Sequence, residues 1–300
     1  MANLSTEEVL QPGLHSRVMA ALGLQEPAGK GLPGLTAVYA AWCRNVPFDN
    51  VRKMNVLGEG GTPSLPGRTA EEFFENWLAH GTGATCWPAS NALYVLLRTL
   101  GFDARRVAGN MRDLGKTTHA SVIVSIDGAE WLVDASLQTL QPIPLRRELY
   151  ASSDLVYPAE CEPVEDGWLL WWLVPPGQEF IPCRIFPQER TWQFYMDSYE
   201  RSRGIGPFNQ KLYARRSWLE EVVVLFGNTR FRKSAAGVDA RELDREQLCV
   251  ALREDIGISP EMIERWRRSG ALESTFQPVE GMKPFSHPTQ QLPPSQRACI

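Results

Sequence analysis

His80-Gly81-Thr82-Gly83-Ala84-Thr85-Cys86-Trp87-Pro88 (residues 80–88) runs into the apolar segment Asn91-Ala92-Leu93-Tyr94-Val95-Leu96-Leu97, and the pattern stops at Gly101. This reads as a small-residue loop turning into a helix at Cys86, with Pro88 tolerated in the first turn and Gly101 just past the C-terminus. A thiol in that position meets unpaired backbone N–H groups and the positive end of the helix dipole, which favours negative charge on sulfur. The stretch predicts a nucleophile.

A hairpin downstream supplies its partners. Residues 120–126 (Ala-Ser-Val-Ile-Val-Ser-Ile) and 129–137 (Ala-Glu-Trp-Leu-Val-Asp-Ala-Ser-Leu) flank Asp127-Gly128, a strong two-residue hairpin signal. Closing the turn there pairs Ile126 with Ala129 and, counting outward, Ser121 with Asp134. Period-two alternation then sets His119 on the same face as Asp134, a diagonal neighbour roughly 7–8 Å away at Cα and within reach of a His–Asp hydrogen bond. A carboxylate holding an imidazole that faces a thiol is the nucleophile–base–orienter arrangement of covalent catalysis.

The whole chain sets the frame. At 300 residues and 33.7 kDa it predicts two or three closely packed subdomains, and 43% hydrophobic with 22% charged residues is an ordinary globular balance. A net charge of −4 and a pI near 5.7 give no electrostatic reason to bind nucleic acid. The first residues, Met1-Ala2-Asn3-Leu4-Ser5-Thr6, lack a signal-peptide pattern, and no apolar run approaches the ~18 residues that span a bilayer. The expectation is a soluble cytoplasmic protein with no membrane partner. Six scattered cysteines without a CxxC pair predict reduced thiols and no metal site. Cys43 and Cys249 fall on apolar helix faces, and Cys299 falls in a tail.

In chain order, a helix is expected up to about residue 23 with Leu14, Val18, Ala21 and Leu22 on one face, then a loop over 29–34 and a helix over 35–43. Residues 56–67 have the composition of a connector. Thr69 caps a helix to residue 79 with Phe73, Phe74, Trp77 and Leu78 as its stripe; His80 at its end suits a dipole partner better than a catalytic base. From residue 103 the pattern alternates, predicting strands over 104–111, 120–126, 129–137, 167–174, 181–186 and 191–196 that close into a small barrel or sandwich. Trp168, Trp171 and Trp172 read as strand packing. Residues 220–226 and 229–233 form a second hairpin, Asp244-Arg245-Glu246-Gln247 is a capping box opening a helix to 255, and 260–268 is another helix. Beyond Gly270 the chain reads as a poorly ordered tail, which discounts His287.

Cys86, His119 and Asp134 in this order, with Trp131-Leu132-Val133-Asp134 closing the hairpin, resemble the arylamine N-acetyltransferase family, part of the wider group of cysteine enzymes with transglutaminase-like triads. Pro47-Phe48-Asp49-Asn50 is similar to the family's Pro-Phe-Glu-Asn motif, and Gly206-Pro207-Phe208 to the motif before its third domain. The resemblance covers about residues 18–266. It implies an α+β architecture: an N-terminal helical bundle (1–102), a central antiparallel β-barrel (103–200), a C-terminal α/β lid (201–272) and a tail (273–300). It also implies a ping-pong cycle in which Cys86 takes an acyl group from a thioester and passes it to a small-molecule amine. His119 would move protons and Asp134 would orient it. Phe48, Trp87 and Phe208 would lie against substrate, and Ser136 and Leu137 would lie at the donor. The co-substrate would be an acyl-coenzyme A or an acyl carrier protein thioester, with no metal and no tightly bound cofactor.

Two segments depart from the family pattern. Thr82-Gly83-Ala84 and Trp87-Pro88 stand where the family has Arg-Gly-Gly and Phe-Glu around its cysteine. After Asp134 the family continues, one residue on, with Gly-Phe-Gly, a loop associated with the coenzyme A donor; this chain has Ser136-Leu137-Gln138. Without those glycines a close backbone approach to a phosphate-bearing ligand is lost. Two alternatives therefore stand beside transfer from coenzyme A: an amide synthase charged by a carrier protein, and a cysteine amidase or peptidase that runs the same triad with water.

Overall fold

Apolar residues at helical spacing build the first layer of a computed structural model that describes residues 9–25, 29–60, 63–173, 176–177, 179–204, 207–278 and 292–297. Helices α1 (Pro12–Ala21) and α2 (Leu32–Asn45) bury Leu14, Val18, Leu35, Val38 and Trp42. Ala21 is exposed and Met19 takes the inward place expected for it. α2 starts inside the expected loop because Pro33 suits a first helical turn. The short strand β1 (Phe48–Asp49) follows, then α3 (Val51–Gly58), α4 (Ala70–His80) and α5 (Cys86–Thr99). α3 occupies part of the expected connector; Val51 and Met54 give it a buried face, and residues 61–62 lie outside the described residues. Thr69 caps α4 by accepting the Glu72 N–H. α5 is buried along most of its length.

The second layer is an antiparallel sheet of eight strands: β2 (Asp103–Met111), β3 (His119–Ile126), β4 (Ala129–Val133), β5 (Ile143–Leu145), β6 (Tyr150–Ala151), β7 (Ala159–Val164), β8 (Gly167–Trp172) and β9 (Ile181–Phe186). Their order, β5-β4-β3-β2-β9-β8-β7-β6, curls until β5 meets β6 and β7, so the barrel is nearly closed. Val107, Ile123, Leu132, Leu170 and Ile185 fill it. The β3–β4 hairpin has the expected register, with Ile126 opposite Ala129 and Val122 opposite Val133. β4 stops at Val133 rather than running to 137, because the Asp134 side chain captures the next backbone N–H groups.

The expected strand at 191–196 is instead helix α6 (Trp192–Arg201). Thr191 caps it by accepting the Phe194 N–H, and Tyr195, Met196 and Tyr199 form its inward stripe. A six-residue aromatic run does not separate period 2 from period 3.6, and Tyr199, four residues beyond Tyr195, decides it.

The third layer is a sheet of β1, β10 (Tyr213–Ser217), β11 (Glu221–Phe226), β12 (Thr229–Ser234) and β13 (Gly237–Glu242), antiparallel and in that order. Helices α7 (Arg245–Ala251), α8 (Pro260–Arg268) and α9 (Ala271–Phe276) cover it around Trp266, Leu248 and Leu225. The Asp244–Gln247 capping box is present. α9 stands where the tail was expected to begin, because Ala271, Leu272 and Thr275 are buried. After the undescribed residues 279–291, α10 (Pro294–Arg297) lies against the barrel through the Arg297–Glu162 ion pair. His287 and Cys299 fall outside the described residues. The arrangement is the expected α+β one: N-terminal helices, a nearly closed barrel, then a sheet with helices.

Candidate active site

The small-residue approach to Cys86 is held from β1. Phe48 bridges Ala84 in parallel while pairing with Arg215 of β10, so one short strand links the cysteine loop to the C-terminal sheet. Asp49 accepts the Gly83 N–H (2.6 Å) and the Val51 N–H (3.0 Å). Burial pushes its carboxyl up to about 6, and those two N–H bonds oppose the rise. Gly83 must be glycine: a Cβ there would lie 1.7 Å from the Pro47 carbonyl oxygen. Gly81, at φ 69°, ends α4 with no room for a side chain beside Gly257.

α5 then fixes the thiol against the barrel. Ser90 Oγ donates to the Ala120 carbonyl (2.9 Å), and Asn91 Oδ1 accepts from Arg106 Nε (2.8 Å). Cys86 is partly exposed, whereas Cys43, Cys161, Cys183 and Cys249 are buried. Its Sγ lies 3.9 Å from the carbonyl of Thr118, the residue before His119.

His119 and Asp134 are buried, with Nε2 2.7 Å from Asp134 Oδ2. Nδ1 is the ring nitrogen that Asp134 does not engage. Burial alone would lower the His119 pKa; the charge and hydrogen bond of Asp134, aided by Cys86, overcome this and raise it to about 10. Burial likewise opposes ionisation of Asp134, and the His119 charge and hydrogen bond outweigh it, so its pKa falls below the usual value. The pair favours imidazolium against carboxylate. Asp134 Oδ1 accepts the N–H groups of Ser136 (2.8 Å) and Leu137 (2.9 Å), which fixes the carboxylate plane. The chain thus brings together a thiol, a proton acceptor and a fixed carboxylate. The first turn of α5 adds backbone N–H groups without intrahelical acceptors, suited to an oxyanion.

The other expected site residues divide. Phe48 is buried edge-on to Phe208 (5.8 Å between ring centres) and Tyr213 (5.7 Å), forming one aromatic wall beside the cysteine loop. Trp87 departs from expectation: it is only 3% exposed and packs against Tyr195 and Phe194 of α6, so it presents no face to a substrate. Ser136 and Leu137 depart as well. Their N–H groups are engaged by Asp134, their carbonyls accept from Arg215, and Leu137 is buried in the barrel core. Gln138 holds φ 49°, and its Nε2 donates to the Val46 carbonyl (2.8 Å). The loop is filled by its own side chains and offers no cradle for a phosphate.

Three supporting residues escape a sequence reading. Tyr39 Oη donates to the Asp134 carbonyl (2.8 Å) and accepts the Asp134 N–H (3.2 Å), yet Tyr39 looks like one more apolar-stripe residue of α2. Arg215 and Lys53 are buried cations with no spacing signal to mark them. His80, as expected, is away from the triad, with Nδ1 3.1 Å from Ser259 Oγ. Among the described residues no group of three or more His, Cys, Asp or Glu is arranged to hold a metal, and no helix is long and apolar enough to cross a membrane.

A family model described as N-acetyltransferase matches residues 31–156. Arylamine N-acetyltransferase 2 of Mus musculus is 24% identical over 280 residues, covering 80% of this chain and 92% of its own length. An arylamine N-acetyltransferase of Mycobacterium smegmatis superposes with a TM-score of 0.74 at 19% identity, covering 87% of this chain and 98% of its own. That of Mycobacterium marinum, solved in complex with CoA, superposes with a TM-score of 0.73 at 17% identity, covering 87% and 97%.

Proposed function

Because the chain belongs to the arylamine N-acetyltransferase family, and is thus an acyltransferase, we propose that it moves an acyl group from a thioester to an amine through an acyl-enzyme on Cys86. The observation that carries this reading is the buried His119–Asp134 pair, 2.7 Å apart, next to a partly exposed Cys86 whose Sγ lies 3.9 Å from the Thr118 carbonyl. The thiol proton passes to His119 Nδ1, and the imidazolium is stabilised by Asp134. The thiolate attacks the thioester carbonyl, and N–H groups at the start of α5 hold the oxyanion. The donor's C–S bond breaks, His119 protonates the departing thiolate, and the acyl group remains on Cys86. An amine then attacks, its proton returns to His119, and Cys86 leaves to give the amide. Initial rates with donor and amine both varied test the cycle. Parallel double-reciprocal lines are expected; intersecting lines mean a ternary complex and end the acyl-enzyme reading.

The relative solved with CoA supports an acyl-coenzyme A donor. The filled loop at Ser136–Gln138 favours a donor whose phosphates are not gripped there, and on that observation a carrier-protein thioester is the second reading. Acetyl coenzyme A is expected to acylate Cys86 only at high concentration, and a phosphate-free acetyl-pantetheine thioester to work about as well. A hundredfold preference for the full coenzyme would show that its phosphates are held after all.

A further inference from the structure

Arg215 is a buried guanidinium that the acyl-transfer cycle does not use. It lies on β10, is 1% exposed, and among the described residues forms no ion pair. A buried cation without a carboxylate is costly unless other groups answer its charge. Here the loop that leaves Asp134 does so. Nη1 donates to the Ser136 carbonyl (3.0 Å), and Nη2 to the Leu137 carbonyl and, at 3.4 Å, to that of Gln138. Ser217 Oγ lies 3.3 Å from Nη2 and donates in turn to Gln138 Oε1 (3.3 Å). A planar fork of donors suits a row of carbonyls better than an ammonium does.

The same peptide groups face Asp134 from their other end. The peptide joining Ser136 to Leu137 gives its oxygen to Arg215 and its N–H to Asp134 Oδ1 (2.9 Å). The next peptide gives its oxygen to Arg215 and its N–H, that of Gln138, to the Asp134 carbonyl (3.1 Å). A cation at the oxygen end of a peptide polarises it and makes its N–H a stronger donor. Two successive peptides therefore connect a buried cation to the residue that holds His119, one through the carboxylate and one through the main chain. The main chain of Arg215 supports the other half of the site: it pairs with Phe48, which bridges Ala84 in the loop entering Cys86. The geometry points to Arg215 as a positioning residue for Asp134, a cation of the C-terminal sheet that fixes and stabilises the carboxylate through the Ser136–Leu137 peptide.

This inference rests on the proposed triad, and a double-mutant cycle separates the two ideas. Iodoacetamide labelling of Cys86 is followed by peptide mass mapping across pH in the full chain, Arg215→Met, Asp134→Asn and the double variant. The midpoint of the rise in rate reads how well the imidazolium holds the thiolate. Arg215→Met should raise that midpoint by about one pH unit, a tenfold change in proton affinity. In the Asp134→Asn background the same change should add less than about 0.3 unit, because the charge that Arg215 supports is already gone. Arg215→Lys keeps the charge and loses the fork, and should recover part of the shift. Ser217→Ala loosens the same side chain without touching the bridging peptides, and should stay within about 0.3 unit of the parent. If Arg215→Met does not fold, Arg215→Gln, a neutral donor that still reaches a carbonyl, takes its place with the same expectation. An unchanged midpoint, an equal shift in both backgrounds, or a shift of about one unit in Ser217→Ala overturns the role of Arg215. A parent Cys86 that labels no faster than the buried thiols overturns the nucleophile itself.

Discussion

Two loops flank the triad, and they are built in opposite ways. The loop entering Cys86 needs glycine where backbone lies against backbone: Gly83 lies against Pro47, and Gly81 against Gly257. The loop leaving Asp134 carries Ser136, Leu137 and Gln138: the Leu137 side chain lies in the barrel core, the Gln138 side chain reaches Val46, and the Ser136 and Leu137 carbonyls accept from Arg215. One loop is shaped by the absence of side chains, the other by their presence. The lesson is that nucleophile geometry and donor grip are separable. The cysteine loop is held from β1 and α5, whereas the loop after Asp134 is held by its own side chains and by Arg215.

The largest expected effect breaks the triad side of this contrast. Asp134→Asn keeps the size and can still accept the Ser136 and Leu137 N–H groups, but its amide cannot stabilise an imidazolium. Turnover should fall on the order of 10²–10³, or ~3–4 kcal/mol. Thermal unfolding across pH should show the same loss. The raised His119 pKa contributes stability fully present below about 6.5 and lost as pH rises through about 10. The lowered Asp134 pKa contributes stability present above 3.8 and lost below it. The gap between parent and variant should therefore be widest from about pH 4 to 6.5 and narrow toward pH 10. A gap that widens with pH would mean that the pair is not an ion pair.

Next comes the cysteine loop. Gly83→Ala puts a methyl group 1.7 Å from the Pro47 oxygen, and backbone must move to admit it. Denaturant unfolding should show a loss of roughly 3 kcal/mol or more, with slower alkylation of Cys86 in whatever fraction folds. A neutral result would remove the contrast between the loops.

The smallest effect is at Gln138. Gln138→Gly relieves a left-handed φ of 49° but gives up the hydrogen bond to Val46. The two contributions are each about 1 kcal/mol and oppose one another, so stability should change by less than about 1 kcal/mol. A large loss would show that the side chain, rather than the backbone shape, holds this loop.

What the sequence discloses follows range of interaction. The β3–β4 register is legible because Asp127-Gly128 leaves one closure compatible with period-two alternation, and the start of α5 is legible because a small-residue run meets an apolar helix pattern. Misreadings came where a short run fits two periods, as at Trp192–Arg201, or where composition hides a burial pattern, as at Val51–Gly58. Tyr39, Lys53 and Arg215 were invisible for a different reason. Their roles come from partners 79 to 149 residues away, and nothing in their own neighbourhoods encodes that contact.

The central claim is that Cys86 carries the acyl group, and weighing the intact chain tests it most directly. The protein is mixed with excess acetyl-pantetheine or acetyl coenzyme A, quenched in acid and weighed, then digested to locate the adduct. The account predicts one acetyl group per chain, on the Cys86 peptide, absent from Cys86→Ala and removed when an arylamine is added before the quench. Amide formation that persists in Cys86→Ala, or an acetyl group on another residue that is passed on to the amine, would contradict it.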